Sequence, residues 1–238
     1  MILKFLEKYL VEYVIYIMNN YNDSEIAAIH NYGVDIKNRE IFLHSYLVDN
    51  DEEPGVDYKS AIIFEKNIRH LNLISSDPIL IHMHIPGGDW EDCLGMYDTI
   101  KFSKAKTIML TYAKAQSASS ILLQAPNIRI LMPNVNVLIH YGSISMDSEH
   151  SKAATATVQW NEKECDKMVD IFVDRCMQSQ MAKEKNWKKM MAKKHIMSQL
   201  ANKCDWILTA EEAVSYGFAD DILGSKKYPS IDSLKKIK

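Results

Sequence analysis

The sequence predicts an α/β domain: a mostly parallel sheet with helices packed outside it. Three observations predict this. Short β-rich runs recur at Arg39–Leu47, Ile79–Ile85, Thr107–Tyr112 and Met132–His140, with helix-forming stretches between several of them. Such strand–helix–strand repeats build parallel sheets. The stretch from Pro86 to His140 reads continuously as glycine turn, helix, strand, tight turn, helix and strand. The length, 238 residues, suits one domain with a full core and an appended element.

Taken in order, residues 1–38 form an N-terminal helix and linker. Leu3, Leu6, Leu10, Val14 and Ile17 recur at helical spacing, with Lys4, Glu7, Lys8 and Glu12 as the polar complement. This is an amphipathic helix packed on the body or on a neighbouring subunit. Glu7 and Glu12 interrupt the apolar region, so it does not read as a signal peptide, and it lacks the strongly basic face of a membrane-surface helix. Asn19–Asn38 is polar and turn-rich, a link to the core. Arg39–Leu47 is the first strand and Asp49–Gly55 a charged loop. Val56–Leu73 is a helix, with Ile62, Lys66, Arg69 and Leu73 at helical spacing and Ile63 and Phe64 on its buried side. Ser75–Pro78 breaks it before the strand Ile79–Ile85.

His82 and His84 fall on one face of that strand. Two ligands do not make a metal site, and no third lies nearby in the sequence, so no metal is expected. Thr107–Tyr112 is a strand, Ala113–Gln116 a four-residue link, and Ser117–Ala125 a helix opening on small residues. Ser117 therefore sits on a sharp strand-to-helix bend, beside unpaired N–H groups and the positive end of a helix dipole. A serine there is often no more than a helix cap. A long helical region runs from about Ala154 to Ser198, apolar at Val158, Cys165, Met168, Phe172 and Met177 and lysine-rich beyond Lys183, where a solvated face is expected. Asp205 precedes the strand-like Trp206–Leu208. Thr209 and Glu212 form a capping box, Gly217 a C-cap, and Phe218–Leu223 a last strand. Residues 225–238 are a polar tail.

Composition narrows the function. A net charge of −3 argues against nucleic acid as a partner. Four scattered cysteines without a CxxC pair fit free thiols in a reducing, cytoplasmic compartment. No apolar run is long enough to span a membrane.

Several motifs, in chain order over roughly residues 39–224, resemble the proteolytic subunit of the Clp protease, a serine peptidase of the crotonase-like fold. Pro86–Gly88 is similar to the family's SPGG turn and Gly95–Ile100 to the helix after it. Ala115–Ser119 is similar to the AASMG around the nucleophile, and Pro133–His140 to PNSRVMIH. Asp205–Asp220 is similar to DRFLSAPEAVEYGLVD, and the interval between Gly88 and Ser117 matches that of the family.

The resemblance implies repeated β-α-β units with a helical handle at about 147–200, longer here than usual, and an added N-terminal helix. It implies Ser117 as nucleophile, His140 as general acid/base, Asp205 as orienting carboxylate, and the N–H groups of Gly88 and Ala118 as oxyanion hole. It further implies cleavage of peptides or unfolded proteins, without a cofactor, inside a homo-oligomeric ring (a heptamer or stacked rings). No GxxxxGK[ST] motif is present, so any ATP-driven unfolding would come from an AAA+ partner.

Ala113 stands where the family has glycine, Gln116 where it has a small alanine, and only Gly142 remains of a glycine-rich segment after the histidine. Three other readings remain open at this point. One is a catalytically silent subunit of a mixed ring, another is a crotonase-fold enzyme acting on acyl thioesters, and the third is a Ser–Lys peptidase using Lys114.

Overall fold

The computed structural model describes residues 24–44, 55–143 and 150–237. The helix expected over residues 2–18 lies outside them, as do most of the charged loop and the first residues of the handle.

The Asn19–Asn38 linker is more structured than its composition suggests. It holds a helix (α1, residues 24–32) and a two-residue strand, β1 (Val34–Asp35). After a turn, β2 (Glu40–His44) runs back antiparallel to β1. Arg39 sits at the end of that turn with φ 57°. Its guanidinium donates to the carbonyls of Leu71, Ser75 and Asp77 and so closes the end of the next helix.

That helix, α2 (Tyr58–Ile74), starts at a reciprocal cap: Ser60 N–H donates to Asp57 Oδ1, and Asp57 N–H to Ser60 Oγ. Its buried stripe is Ala61, Phe64, Ile68 and Leu71. Phe64 is buried as expected, whereas Leu73 is 73% exposed. Five strands then carry the domain: β3 (Ile79–Ile85), β4 (Thr107–Gln116), β5 (Ile128–Leu131), β6 (Asn136–Ile139) and β8 (Asp221–Ile222). The sheet runs β1-β2-β3-β4-β5-β8, with β6 on the far end of β4 and β7 (Trp206–Leu208) antiparallel to β6. Every pairing from β2 to β8 and from β4 to β6 is parallel.

β4 decides where the site lies. Ile108–Thr111 pair with β5, and Lys114–Gln116 pair with β6. Between them Ala113 takes φ 42°. The segment read from sequence as a four-residue link is therefore strand that changes partner at Ala113. An alanine there costs about 1–2 kcal/mol over a relaxed backbone, and glycine gives back part of that in chain entropy. Ala113→Gly should raise stability by about 1 kcal/mol, read as a higher urea midpoint at unchanged slope.

The main core lies on one face of the sheet, among Ile79, Ile81, Met83, Met109 and the helices α2, α3 (Trp90–Lys101), α4 (Ala118–Leu122) and α5 (Ser151–Cys176). The other face carries a second core of Leu80, Ile108, Leu110 and Ile130. It is covered by Tyr228 and by Leu234 of α9 (Ile231–Leu234). The segment read as a polar tail thus packs on the sheet. Beside this core, His82 Nε2 meets Glu40 Oε2 at 3.0 Å, His82 Nδ1 meets the Tyr112 hydroxyl at 2.9 Å, and Lys235 reaches Glu40's other oxygen. Both ring nitrogens of His82 are thereby engaged with protein groups.

Burial lowers the His82 pKa from its ordinary 6.5, against the raising influence of Glu40. Just below pH 6.5 the unfolded chain therefore binds more protons at this residue than the folded one, and acidification favours unfolding. The stability His82 contributes by staying neutral is complete above pH 6.5 and drains away as the pH falls below it. Thermal melts should show a steeper acid-side decline for the native protein than for His82→Gln. An equal slope in both would contradict this. His195, also lowered by burial, contributes in the same sense to both proteins.

The helical region expected from about Ala154 to Ser198 consists of three helices: α5, α6 (Gln180–Glu184) and α7 (Lys189–Lys203). Ser179 caps α6 through the Ala182 N–H, and Asn186 turns the chain at φ 50° before α7. α5 buries only its C-terminal half, at Met168, Val169, Phe172, Val173 and Cys176. Val158, expected to be an apolar contact, is exposed. α8 (Ala210–Ser215) carries the capping box expected at Thr209 and Glu212.

Candidate active site

β4 ends at Gln116 and α4 begins at Ala118, which leaves Ser117 alone at the bend with φ 53° and ψ −130°. A non-glycine residue held there is strained, and such strain recurs at functional elbows. The Ser117 side chain does not cap α4. The bend is instead fixed by its backbone: Ser117 N–H donates to Leu138 O, and Ser117 O accepts from Ser120 N–H and from Ser120 Oγ at 2.6 Å.

Two strands deliver the partners. β6 pairs with β4 in the register Gln116↔Leu138, which carries His140, just past the end of β6, to the side of Ser117. β7 runs antiparallel to β6 with Ile139 opposite Trp206, so Asp205 falls next to His140. His140 Nε2 lies 2.8 Å from Ser117 Oγ, and His140 Nδ1 lies 3.1 Å from Asp205 Oδ1. A carboxylate can only accept, so the proton of a neutral His140 sits on Nδ1, and Nε2 is left to accept from the Ser117 hydroxyl. The His140 side chain is 30% exposed and that of Asp205 61%, so the site opens to solvent on the carboxylate side.

The glycine turn runs alongside. Gly87 and Gly88 have φ 132° and 135°. A Cβ on Gly88 would lie 2.3 Å from both the nitrogen and the oxygen of Val56, and one on Gly87 would lie 2.7 Å from Ser117 Cβ. No side chain fits between this turn and its neighbours. Val56 N–H donates to Gly87 O and Asp89 N–H donates to Val56 O. In a parallel pairing of this kind the N–H of Gly88 points to the opposite edge of its strand. Ala118 is the first residue of α4, so its N–H has no acceptor within the helix.

The buried Cys93 thiol of α3 donates to Ala118 O at 3.0 Å, and burial pushes its pKa up to about 12, so it remains a protonated donor. Sequence reasoning missed the bridge between Val56 and Gly88 that orients the glycine turn. A Cβ on Gly55 would come within 2.5 Å of Gly87 O, and the Pro-Gly pair closing the charged loop was the only signal of it. Gln116 does not crowd the bend, because its side chain stays half-exposed while its N–H is held by Ser119 Oγ.

With this geometry in hand, a profile of the Clp protease family matches residues 28–226. The chain belongs to the Clp protease family. Among the Clp proteases it is similar to, proteolytic subunit 2 of the ATP-dependent Clp protease from Leifsonia xyli is 28% identical over 183 residues, 73% of this chain and 74% of that one. Proteolytic subunit 2 from Mycobacterium bovis is 29% identical over 178 residues, covering 73% and 77%. A solved structure of a ClpP1 mutant from Listeria monocytogenes superposes with a TM-score of 0.59 over 84% of this chain and 96% of that one, at 20% identity. The Clp fold is thus shared, while the sequence is divergent.

Proposed function

We propose that this chain is a serine endopeptidase that cleaves peptides or unfolded proteins inside a ring of like subunits. The contact of Ser117 Oγ with His140 Nε2, backed by Asp205 on Nδ1, carries the reading. His140 takes the Ser117 proton as the oxygen attacks the scissile carbonyl. Asp205 holds the imidazole in the required tautomer and stabilises the imidazolium that forms. The N–H groups of Gly88 and Ala118 receive the oxyanion; removing one such donor typically costs about 10²–10³ in kcat. His140 then returns its proton to the leaving amine, and water releases the acyl group by the same steps in reverse.

The chemistry calls for no cofactor, and unfolding of large substrates falls to an ATPase partner of the AAA+ kind. Because Ser117 lies against His140, the reading has no need of Lys114 as base. No described helix is long and apolar enough to cross a membrane.

Intact mass after treatment with a fluorophosphonate tests the proposal. One adduct is expected on the native protein and none on Ser117→Ala. A folded, oligomeric native protein that takes no adduct would overturn it in favour of a silent subunit.

A further inference from the structure

The two halves of the site stand on two different strands, β3 and β4, and the pairing of those strands is irregular where the halves meet. It runs from Ile79↔Thr107 to Met83↔Thr111, shifts register, and shows one further pair, Ile85↔Ala115. β3 then leads into Pro86, which has no N–H to donate, and on to the glycine turn. β4 leads into Gln116 and Ser117. Past Ile85 the ladder has little left with which to fix the distance between the Gly88 N–H and the Ser117 hydroxyl.

Ser119 occupies this junction. Its side chain is fully buried, at the second residue of α4. The oxygen accepts from Gln116 N–H at 2.8 Å, and its single proton faces two carbonyls, Ile85 O and Gln116 O, each at 2.8 Å. Bonds from a helical serine to the residue three before it are ordinary. The bond to Ile85, 34 residues away on the other strand, is not of that kind. The neighbouring Ser120 shows the ordinary pattern: among the described residues its hydroxyl bonds back to Ser117 O. The resemblance places a glycine, which carries no hydroxyl, where Ser119 stands.

We propose that Ser119 is a positioning residue for the reaction. Through one hydroxyl it ties the last carbonyl of β3 to the residue before the nucleophile, and so sets the spacing between the oxyanion donor at Gly88 and Ser117. The inference rests on the peptidase reading above. Misplacement by about 1 Å between reacting groups costs on the order of 100-fold in rate, so losing this tie is felt in the chemical step rather than in substrate binding.

The test compares native protein with Ser119→Ala. It measures the rate constant of fluorophosphonate labelling, its amplitude, and kcat and KM on an unfolded protein substrate. The folded fraction is read from the melting curve at the assay temperature, and the labelling rate constant is divided by it where folded and unfolded chains exchange during the assay; where they do not, the amplitude reports that fraction. The expected result is a 10- to 100-fold lower labelling rate constant and kcat, with KM within about twofold of native. A labelling rate constant within twofold of native would overturn the proposal, even if the melting temperature fell, because that pattern belongs to a merely structural hydroxyl. If Ser119→Ala does not fold, Ser119→Cys is put through the same assay. Its sulfur fills the site but bonds weakly, so a tenfold slower rate constant upholds the proposal and a native one overturns it. Failure of the native protein to label is a different outcome, which overturns the peptidase reading itself.

Discussion

His140→Ala lowers kcat on peptide or unfolded-protein substrates by about 10⁶-fold, and Ser117→Ala does the same. The two belong to one proton-transfer unit across a 2.8 Å contact, so removing both costs little more than removing either. Asp205→Asn should cost about 10⁴-fold. The asparagine amide can donate to Nδ1, which invites the tautomer whose Nε2 carries the proton and cannot accept from Ser117. The open position of Asp205 should make Asp205→Ala milder still, because water can enter and serve the imidazole partly in its place. Steady-state kinetics on a fluorogenic peptide, with active sites counted by fluorophosphonate, decide the order. A His140→Ala enzyme that keeps a tenth of native kcat would contradict it.

Asp220→Ala should cost about 3–5 kcal/mol of stability, at a site away from the proposed triad. Arg129 is 3% exposed. Its guanidinium pairs with both oxygens of Asp220, with one Nε bond at 3.1 Å, and also donates to Gly217 O at 2.8 Å and Gln124 Oε1 at 3.2 Å. Asp220 further accepts from the Arg129 N–H and donates its own N–H to Arg129 O, so the pair also fastens β5 to the segment entering β8. Alanine at 220 leaves a buried cation with neutral acceptors only. Replacing both residues with apolar ones of similar size should cost much less than Asp220→Ala alone. Urea unfolding of the three proteins, at equal subunit concentration, measures the difference. A loss under about 1 kcal/mol for Asp220→Ala would show that water reaches Arg129.

The α/β fold was legible because strands buried on both faces, such as β3 and the first half of β4, must be apolar almost throughout. The bend at Ser117 was legible because small residues crowd one strand-to-helix junction. The second half of β4 was not, because Ala113, Lys114 and Gln116 form a short, partly exposed stretch whose pairing depends on β6, far along the chain. The breaks between α5, α6 and α7 come from Ser179 and Asn186, polar residues that sit equally well on a helix surface. The packing of Tyr228 and Leu234 was hidden among lysines, and the Glu40–His82–Tyr112 contacts join residues whose proximity only the sheet creates. Ser117, His140 and Asp205 were expected together from the motifs alone, and the contacts between them follow from the registers of β6 and β7.

The second core has a consequence for how the protein is made. A ribosome releases Leu80, Ile108, Leu110 and Ile130 well before it reaches Tyr228 and Leu234, and it releases β5 well before β8. For that interval the nascent chain presents an oily sheet face and a bare strand edge, the features that draw unfinished chains into aggregates. A chaperone that shields this face, or a fast finish to translation, would govern the yield of folded protein. A message truncated before the codon for Tyr228 would give a product that resists purification even with every residue of the proposed triad in place.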